Sequence, residues 1–383
     1  MKRLLILVLA LLLTSSALLG LDSPQIDVMN LRSKAMGGVH LTMFDDQYTI
    51  INNPAGTGLL KNAWISLVQV QAVLSGDLLE IWDHKDKLTS VIGGSSDIEN
   101  DTWNFLSRLK IGFSTTPVYL AFLNVLPFNI NLAVFNTLKL DMKTNPDIPI
   151  PTWDFTLYND TVGVANFSMR LLGLKFFDLY AGVNVKLIHR VMFRKQRMDF
   201  FYIYNLTQLE MEDLDVYRGL ALGMDIGFIA EFSKSLHASL TITDFYGTKF
   251  SWTKVDPSDF MGEGTPAGHE YIQPSVNIGG SLKIGTIIPA LIENLVVAMD
   301  IRNFFDKDIN LFIKTYIGAE FGMLGGVFKI RAGLYQGYIS AGLGIDIPVL
   351  PIEFSFAYWG EEKGDFPGQN RIDNFGLTLN IVW

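Results

Sequence analysis

The 383-residue chain has no cysteine. That excludes disulfides, thiolate metal sites, cysteine nucleophiles and the lipid attachment that needs a Cys at a cleavage site. Charge is scarce as well: 18% of the residues are Asp, Glu, Lys or Arg, and the net balance is −9. An acidic chain without basic clusters has no nucleic-acid partner to expect. Long apolar runs are missing once the N-terminal leader is passed. The nearest candidate, residues 284–299, is broken by Pro289 and Glu293, so it falls short of a membrane-spanning helix. Catalytic patterns are missing too. His40, His84, His189, His237 and His269 share no metal-ligand spacing, and neither His-Glu-x-x-His, Gly-x-Ser-x-Gly nor a phosphate loop occurs. The chain reads as a non-enzyme with no metal or cofactor site.

What is present begins with that leader. Lys2 and Arg3 precede an unbroken apolar run from Leu4 to Leu13, followed by Thr14, Ser15, Ser16 and Ala17, then Leu18, Leu19 and Gly20. This is the layout of a secretory signal peptide over residues 1–20, with cleavage expected after Ala17 or after Gly20. The exported remainder belongs to a chain that is 49% hydrophobic and 12% aromatic, with 34 glycines. Lacking spanning helices, such a chain crosses lipid only as a closed barrel, because an open sheet edge leaves backbone groups unsatisfied. The expected location is the bacterial outer membrane, with outer-membrane lipid as the solvent of the outer face.

Period-two alternation fits that expectation. Phe375, Leu377, Leu379, Ile381 and Trp383 share one face, and Asn374, Gly376, Thr378 and Asn380 share the other. Similar alternation recurs over residues 236–243, 294–302, 313–321 and 352–358, as half-lipid-facing strands require. Short turns are expected near 126–128, 173–175, 233–235, 288–291, 324–326 and 348–351. Longer polar connections are expected near 75–108, 143–154, 193–215, 250–270, 303–310 and 361–370, with a tight turn at 336–337. Their regular alternation predicts an all-β, transmembrane antiparallel β-barrel of about fourteen strands over residues 64–383, with both ends on one side. The aromatic Trp383 at the last position resembles the terminal signal by which outer-membrane assembly machinery recognises known barrels. In the 75–108 connection, Leu78, Ile81, Trp82, Trp103, Leu106 and Leu109 fit short amphipathic helices, either a lid or a loop packed on itself. The basic residues Arg194, Lys195 and Arg197 precede Phe200, Phe201, Tyr202 and Tyr204. That surface suits anionic lipid or an amphipathic ligand, or is simply a hairpin projecting beyond the membrane.

Residues 21–63 do not fit a strand. Arg32 to Gly38, then Asp45-Asp46, then Asn52 to Gly58 are dense in small residues, which permit positive φ, tight turns and close backbone approach. A folded N-terminal piece before a wide barrel predicts a plug within the lumen. The residues Met36-Gly37-Gly38, Asp45-Asp46 and Asn53-Pro54-Ala55-Gly56 resemble the N-terminal hatch of the FadL/TodX-type transporters of hydrophobic compounds, and equally their PorV-like relatives. Residues 330–338 and 341–345 are also similar to these families. The resemblance implies a fourteen-stranded barrel whose hatch blocks simple flow and whose apolar ligands leave sideways into the bilayer. His40, Leu41, Thr42, Met43 and Phe44 are bulkier than the residues usual at that place in the hatch.

Charges on the strands are expected to face the lumen, where they avoid lipid and pair with one another or line a polar path. Arg32, Asp300, Arg302, Lys314, Glu320, Arg331 and Glu353 form the expected network, with Arg32 reaching Glu320 or Glu353. Two functions follow. The first is a channel admitting hydrophobic, fatty-acid-like small molecules through a hatch-gated barrel with lateral release. The alternative is a PorV-like scaffold that holds a protein partner at its external loops. An open porin is disfavoured because the N-terminal segment should occlude the lumen.

Overall fold

The computed structural model describes residues 28, 30–60, 66–76, 110–115, 118–125, 128–145, 152–199, 214–259, 262–347, 352–362, 364, 366–369 and 371–382. The expected signal peptide, the 77–109 helices, the aromatic residues 200–204 and Trp383 lie outside them. Among the described residues, strands dominate. They are β1 (Ser66–Gly76), β2 (Lys110–Thr115), β3 (Val118–Val125), β4 (Phe128–Asn145), β5 (Thr152–Gly173), β6 (Phe177–Asp199) and β7 (Asp215–Phe232). Next come β8 (Leu236–Thr243), β9 (Thr248–Val255), β10 (Thr265–Ile272), β11 (Ser275–Gly285), β12 (Glu293–Ile301) and β13 (Thr315–Met323). Last are β14 (Phe328–Tyr335), β15 (Tyr338–Ile347), β16 (Ile352–Glu362) and β17 (Arg371–Val382).

These segments form one antiparallel sheet that closes on itself. Next neighbours pair in turn, and β1 pairs with both β17 and β2, so the ring has no free edge. Three wall strands are each made of two collinear segments. β2 and β3 lie end to end along β4, β8 and β9 lie along β7, and β10 and β11 lie along β9 and β8. The seventeen segments of the sheet therefore make fourteen wall strands, as the turn pattern predicts. The start of β1 and the end of β17 pair at one rim, the rim that also carries the short turns.

Side chains sort by face as the pleat demands. On β4, Ile130, Leu132 and Val134 point outward, with Leu132 50% exposed, while Asn131 and Ala133 between them are buried, as is Phe135 beyond. The same division holds for Leu187 against Lys186 on β6, Leu377 against Thr378 on β17, and Phe354 against Ser355 on β16. The result is an apolar outer surface around a polar and charged interior. One sector of the interior departs from that rule. Phe135, Val162, Ile188, Met192, Phe250 and Trp252 pack together on the inner side, towards the long-loop end of β4–β6 and β9.

Two expectations need correction. Strands β6, β9 and β10 run further into the 193–215 and 250–270 regions than the turn pattern predicts, because on β9 and β10 the outward face is polar and the apolar Phe250 and Trp252 turn inward while the ladder continues. Examples are the pairs His269↔Ser251 and Tyr271↔Lys249. Residues 311–314, expected to open a strand, instead form a helical turn α3 (Leu311–Lys314), whose N-cap Asn310 accepts from Phe312 N. Ile313 is consequently buried where an outward position was expected. Leu187, 53% exposed in the middle of the outer band, provides a test of the lipid-facing surface. Leu187→Arg should destabilise the protein in a bilayer by about 2–4 kcal/mol, read by urea-titrated refolding into lipid vesicles.

Candidate functional site

The N-terminal segment lies against the inner wall. It contains α1 (Leu31–Ala35), α2 (Thr49–Asn52) and a 3-10 turn at Gly56–Leu59. α1 is short, and Asn30 starts it by accepting from Ser33 N at 3.1 Å; such a side-chain acceptor satisfies one of the open N–H groups of the first turn. The helix ends at Gly37 and Gly38, whose φ values of 69° and 88° are unstrained only for glycine. Leu31, Ala35, Met36, Val39 and Met43 pack on Tyr316, Tyr335 and Trp359 of the wall.

Two pairs of wall glycines receive this segment. Gly318 on β13 faces Gly333 on β14 across the ladder. A Cβ on Gly318 would collide with Met36 O, and one on Gly333 would stand 2.5 Å from Gly37 N. Elsewhere on the wall Gly182 of β6 faces Gly227 of β7. Side chains there would collide with Pro54 O and with Asn53 Oδ1. At both places backbone meets backbone because no side chain intervenes.

Each half of the segment is then held by a different chemistry. The first half uses charge. Arg32 Nη2 lies 2.6 Å from Glu320 Oε1, with Arg32 Nε donating to Glu320 Oε2 at 3.0 Å, a bidentate geometry that fixes orientation as well as distance. The same guanidinium reaches Asp45 at 2.6 Å and Asp46 at 3.4 Å. Glu320 also accepts from Arg331 Nε at 2.6 Å, and Arg331 continues to Ser355 and, at 3.5 Å, to Glu353. Asp300 Oδ2 accepts from His40 N at 2.7 Å and Leu41 N at 3.0 Å. Arg302 donates to Gly38 O and stacks 3.9 Å from the centre of the Tyr316 ring. Lys314 is not brought into this chain: it is buried at the end of α3 and makes no ion pair among the described residues.

The second half uses amides. Asn131, Asn166 and Asn184 are register neighbours on β4, β5 and β6. Asn166 Nδ2 donates to Pro54 O at 3.0 Å, and Asn184 Nδ2 to Ile50 O at 2.7 Å. Thr57 Oγ1 lies 2.7 Å from both Asn166 Oδ1 and Ser168 Oγ. Asn53 Oδ1 accepts from Ala55 N at 3.0 Å, closing the Asn-Pro-Ala turn on itself. Gly56 is buried, and a Cβ there would stand 2.8 Å from Thr49 Cγ2. The wall asparagines and the wall glycines were not singled out by the sequence reading. Their signal is present, as Asn or Gly at inward positions of consecutive strands, but it becomes visible only once register is known.

On the other side of the segment is a cavity of about 390 Å³. Lys34, Lys186, Arg302, Asp225, Asp244 and Tyr335 are among the side chains that line it. Val28, Ile51 and Ile272 are its aliphatic members, so an apolar pocket is not what the lumen offers here. The inner apolar sector adjoins it, because Ile272 belongs to both. The wall beside the cavity is irregular. Residues 244–247 bulge out of the ladder between β8 and β9, opposite Gln273 and Pro274, and Phe245 and Tyr246 are exposed outside. Asp244 is turned inward, 3.1 Å from Lys186, which also meets Asp225 at 2.7 Å.

Burial pushes the Asp46 carboxyl up to about 6, aided by the neighbouring Asp45 charge and opposed by Arg32. A carboxyl raised in the docked state favours docking when neutral. Its contribution is full below the ordinary value near 3.8 and is lost as pH rises through about 6. Amide protection factors over residues 31–59, taken relative to the intrinsic rate at each pH, should therefore fall between pH 4 and 6.5, and Asp46→Asn should remove that step. Arg32→Glu should loosen the same residues by roughly 1–3 kcal/mol, and adding Glu320→Arg should recover part of the loss, both read by the same exchange measurement.

No family model matches the sequence, and no curated protein matches it. Solved structures do match in fold. The Pseudomonas putida toluene transporter TodX aligns with 10% identity and a TM-score of 0.52, covering 96% of this chain and 98% of the other. A FadL homologue from Pseudomonas aeruginosa aligns with 10% identity and a TM-score of 0.51, covering 92% and 98%. A TodX monoaromatic hydrocarbon channel mutant aligns with 10% identity and a TM-score of 0.53, covering 92% and 97%. The chain has the fold of the FadL/TodX-type barrels.

Proposed function

We propose that the chain is an outer-membrane channel for hydrophobic, fatty-acid-like small molecules, with the N-terminal segment as its hatch and the bulged wall as a lateral exit. The observation that carries this reading is the inner apolar sector beside a polar cavity, within a closed barrel whose lumen the N-terminal segment occupies. A ligand with an apolar body and a polar end matches that pairing. Its body would lie along Phe135, Ile188 and Phe250 and its polar end among the charges of the cavity. Lateral release draws support from the bulge at residues 244–247. There β7 keeps ladder partners on β9 up to Leu220 and on β8 from Ile226, and Phe245 N donates to Met224 O between them. An apolar solute leaving at that level passes into lipid without entering water. The structures that share this fold include a toluene transporter and a monoaromatic hydrocarbon channel, which agrees with such a task.

Because the chain has no cysteine, a single engineered disulfide tests the hatch. Thr57 Oγ1 and Ser168 Oγ lie 2.7 Å apart, which places the two Cβ atoms within disulfide reach. In lipid vesicles holding the T57C/S168C variant, uptake of a fluorescent fatty acid should fall at least tenfold on oxidation, on the order of 1.4 kcal/mol or more, and return on reduction. Uptake unchanged with the disulfide formed would overturn the hatch-gated reading. Protein-free vesicles taking up the probe as fast as the parent would overturn the channel itself.

A further inference from the structure

Two neighbouring short turns carry side chains that neither wall nor lumen uses. One joins β5 to β6 and includes Leu174-Lys175-Phe176; the other joins β7 to β8 and is Ser233-Lys234-Ser235. β6 pairs with β7 from Phe177↔Phe232 onward, so the two turns stand side by side at the short-turn rim. Turn tips that leave the apolar layer have no use for large apolar groups. Yet Phe176 is 73% exposed and Leu174 58%, with Phe232 and Leu236 exposed at the adjoining strand ends. The Phe177 and Phe232 rings meet with centroids 5.1 Å apart, joining the turns into one patch. Leu171 and Leu172, also exposed, connect the patch to the outer apolar band.

Charge identifies the occupant. Lys175 and Lys234 are exposed and make no ion pair among the described residues, Lys175 lying 5.6 Å from the centre of the Phe176 ring. Of the acidic groups on the adjoining strand ends, Asp178 pairs with Arg170, and Glu231 lies on the lumen face beside the buried His237. We infer that the two turns form a docking site for anionic phospholipid headgroups, in which Leu174 and Phe176 enter the acyl layer and both ammonium groups take the phosphate-bearing head. Lysine suits this position because its stem lies along apolar surface while its charge stays at headgroup level. A patch that continues the lipid-facing band and adds two unpaired cations fits a lipid surface better than a soluble protein. The inference rests on the membrane-spanning reading above, and is independent of what the channel carries.

The test again uses the absence of cysteine. A fluorophore on Ser235→Cys, in the full chain reconstituted in phosphatidylcholine bilayers, reports nearby lipids that carry a nitroxide on the headgroup. Nitroxide phosphatidylglycerol should quench roughly fivefold more strongly than nitroxide phosphatidylcholine at equal mole fraction, the scale of one lysine at an anionic surface. K175E/K234E should bring the two to parity. Equal quenching in the parent would overturn the headgroup site. Free access of iodide without quenching by either lipid would also overturn it and assign the patch to a protein. A second label, on Leu222→Cys in the outer band, separates the two levels. Its failure to be quenched by chain-labelled lipid would overturn the membrane placement itself, whereas its success beside an unquenched Ser235→Cys label overturns the docking site alone.

Discussion

The structure depends on the ladder between β1 and β17. That pairing converts a long sheet into a ring, and a ring is the sheet form that leaves no row of unpaired N–H and C=O groups at an edge. Once the ring is closed, the pleat sends every second side chain outward. A large apolar outer face is then compatible with a stable chain, because the backbone asks nothing of the surrounding medium. The same closure creates an interior that must be filled or hydrated. Charges displaced from the outer face collect there, and the pairing Glu320↔Arg331 across β13 and β14 is a direct consequence.

The N-terminal segment solves the interior in two halves that obey different physics. Near β13–β16 a guanidinium chain carries the contact, with Arg32 and Arg331 sharing Glu320. Such a contact is strong only while both signs are present, since removing one partner leaves a buried charge uncompensated. Near β4–β7 the contact runs through amides and hydroxyls to backbone carbonyls, none of which titrates in the ordinary range. Each neutral bond contributes roughly 1 kcal/mol net. Both halves begin from paired wall glycines that let backbone approach backbone. The segment is therefore fixed at two places by shape and tuned at one of them by charge.

Much of the barrel was legible in the chain because lipid-facing strands repeat with period two, and a period is a local property. The faces of β16 and β17, the short turns and the fourteen wall strands all follow from it. Where the outward face turns polar and the apolar side chains turn inward, as on β9, the lipid-facing signal disappears although the ladder persists, and the pattern stops short of the strand's end. The helical turn at Leu311–Lys314 escaped for the opposite reason: a brief apolar alternation was present, but the Asn310 cap diverts the backbone before it becomes a strand. Of the candidate site, Arg32, Asp45, Asp46, Glu320, Arg331 and Glu353 are brought together, and Lys314 is not.

The sequence by itself determined the architecture: a closed antiparallel barrel, its apolar outer face, and a glycine-rich segment ahead of it unsuited to a strand. These follow from composition and from neighbours one or two residues apart. Only the tertiary structure decided which wall residues meet that segment. Gly318 lies beside Gly333, and Asn166 between Asn131 and Asn184, through strand register. Register places residues far apart in the chain at one height on the wall, and no local pattern encodes it.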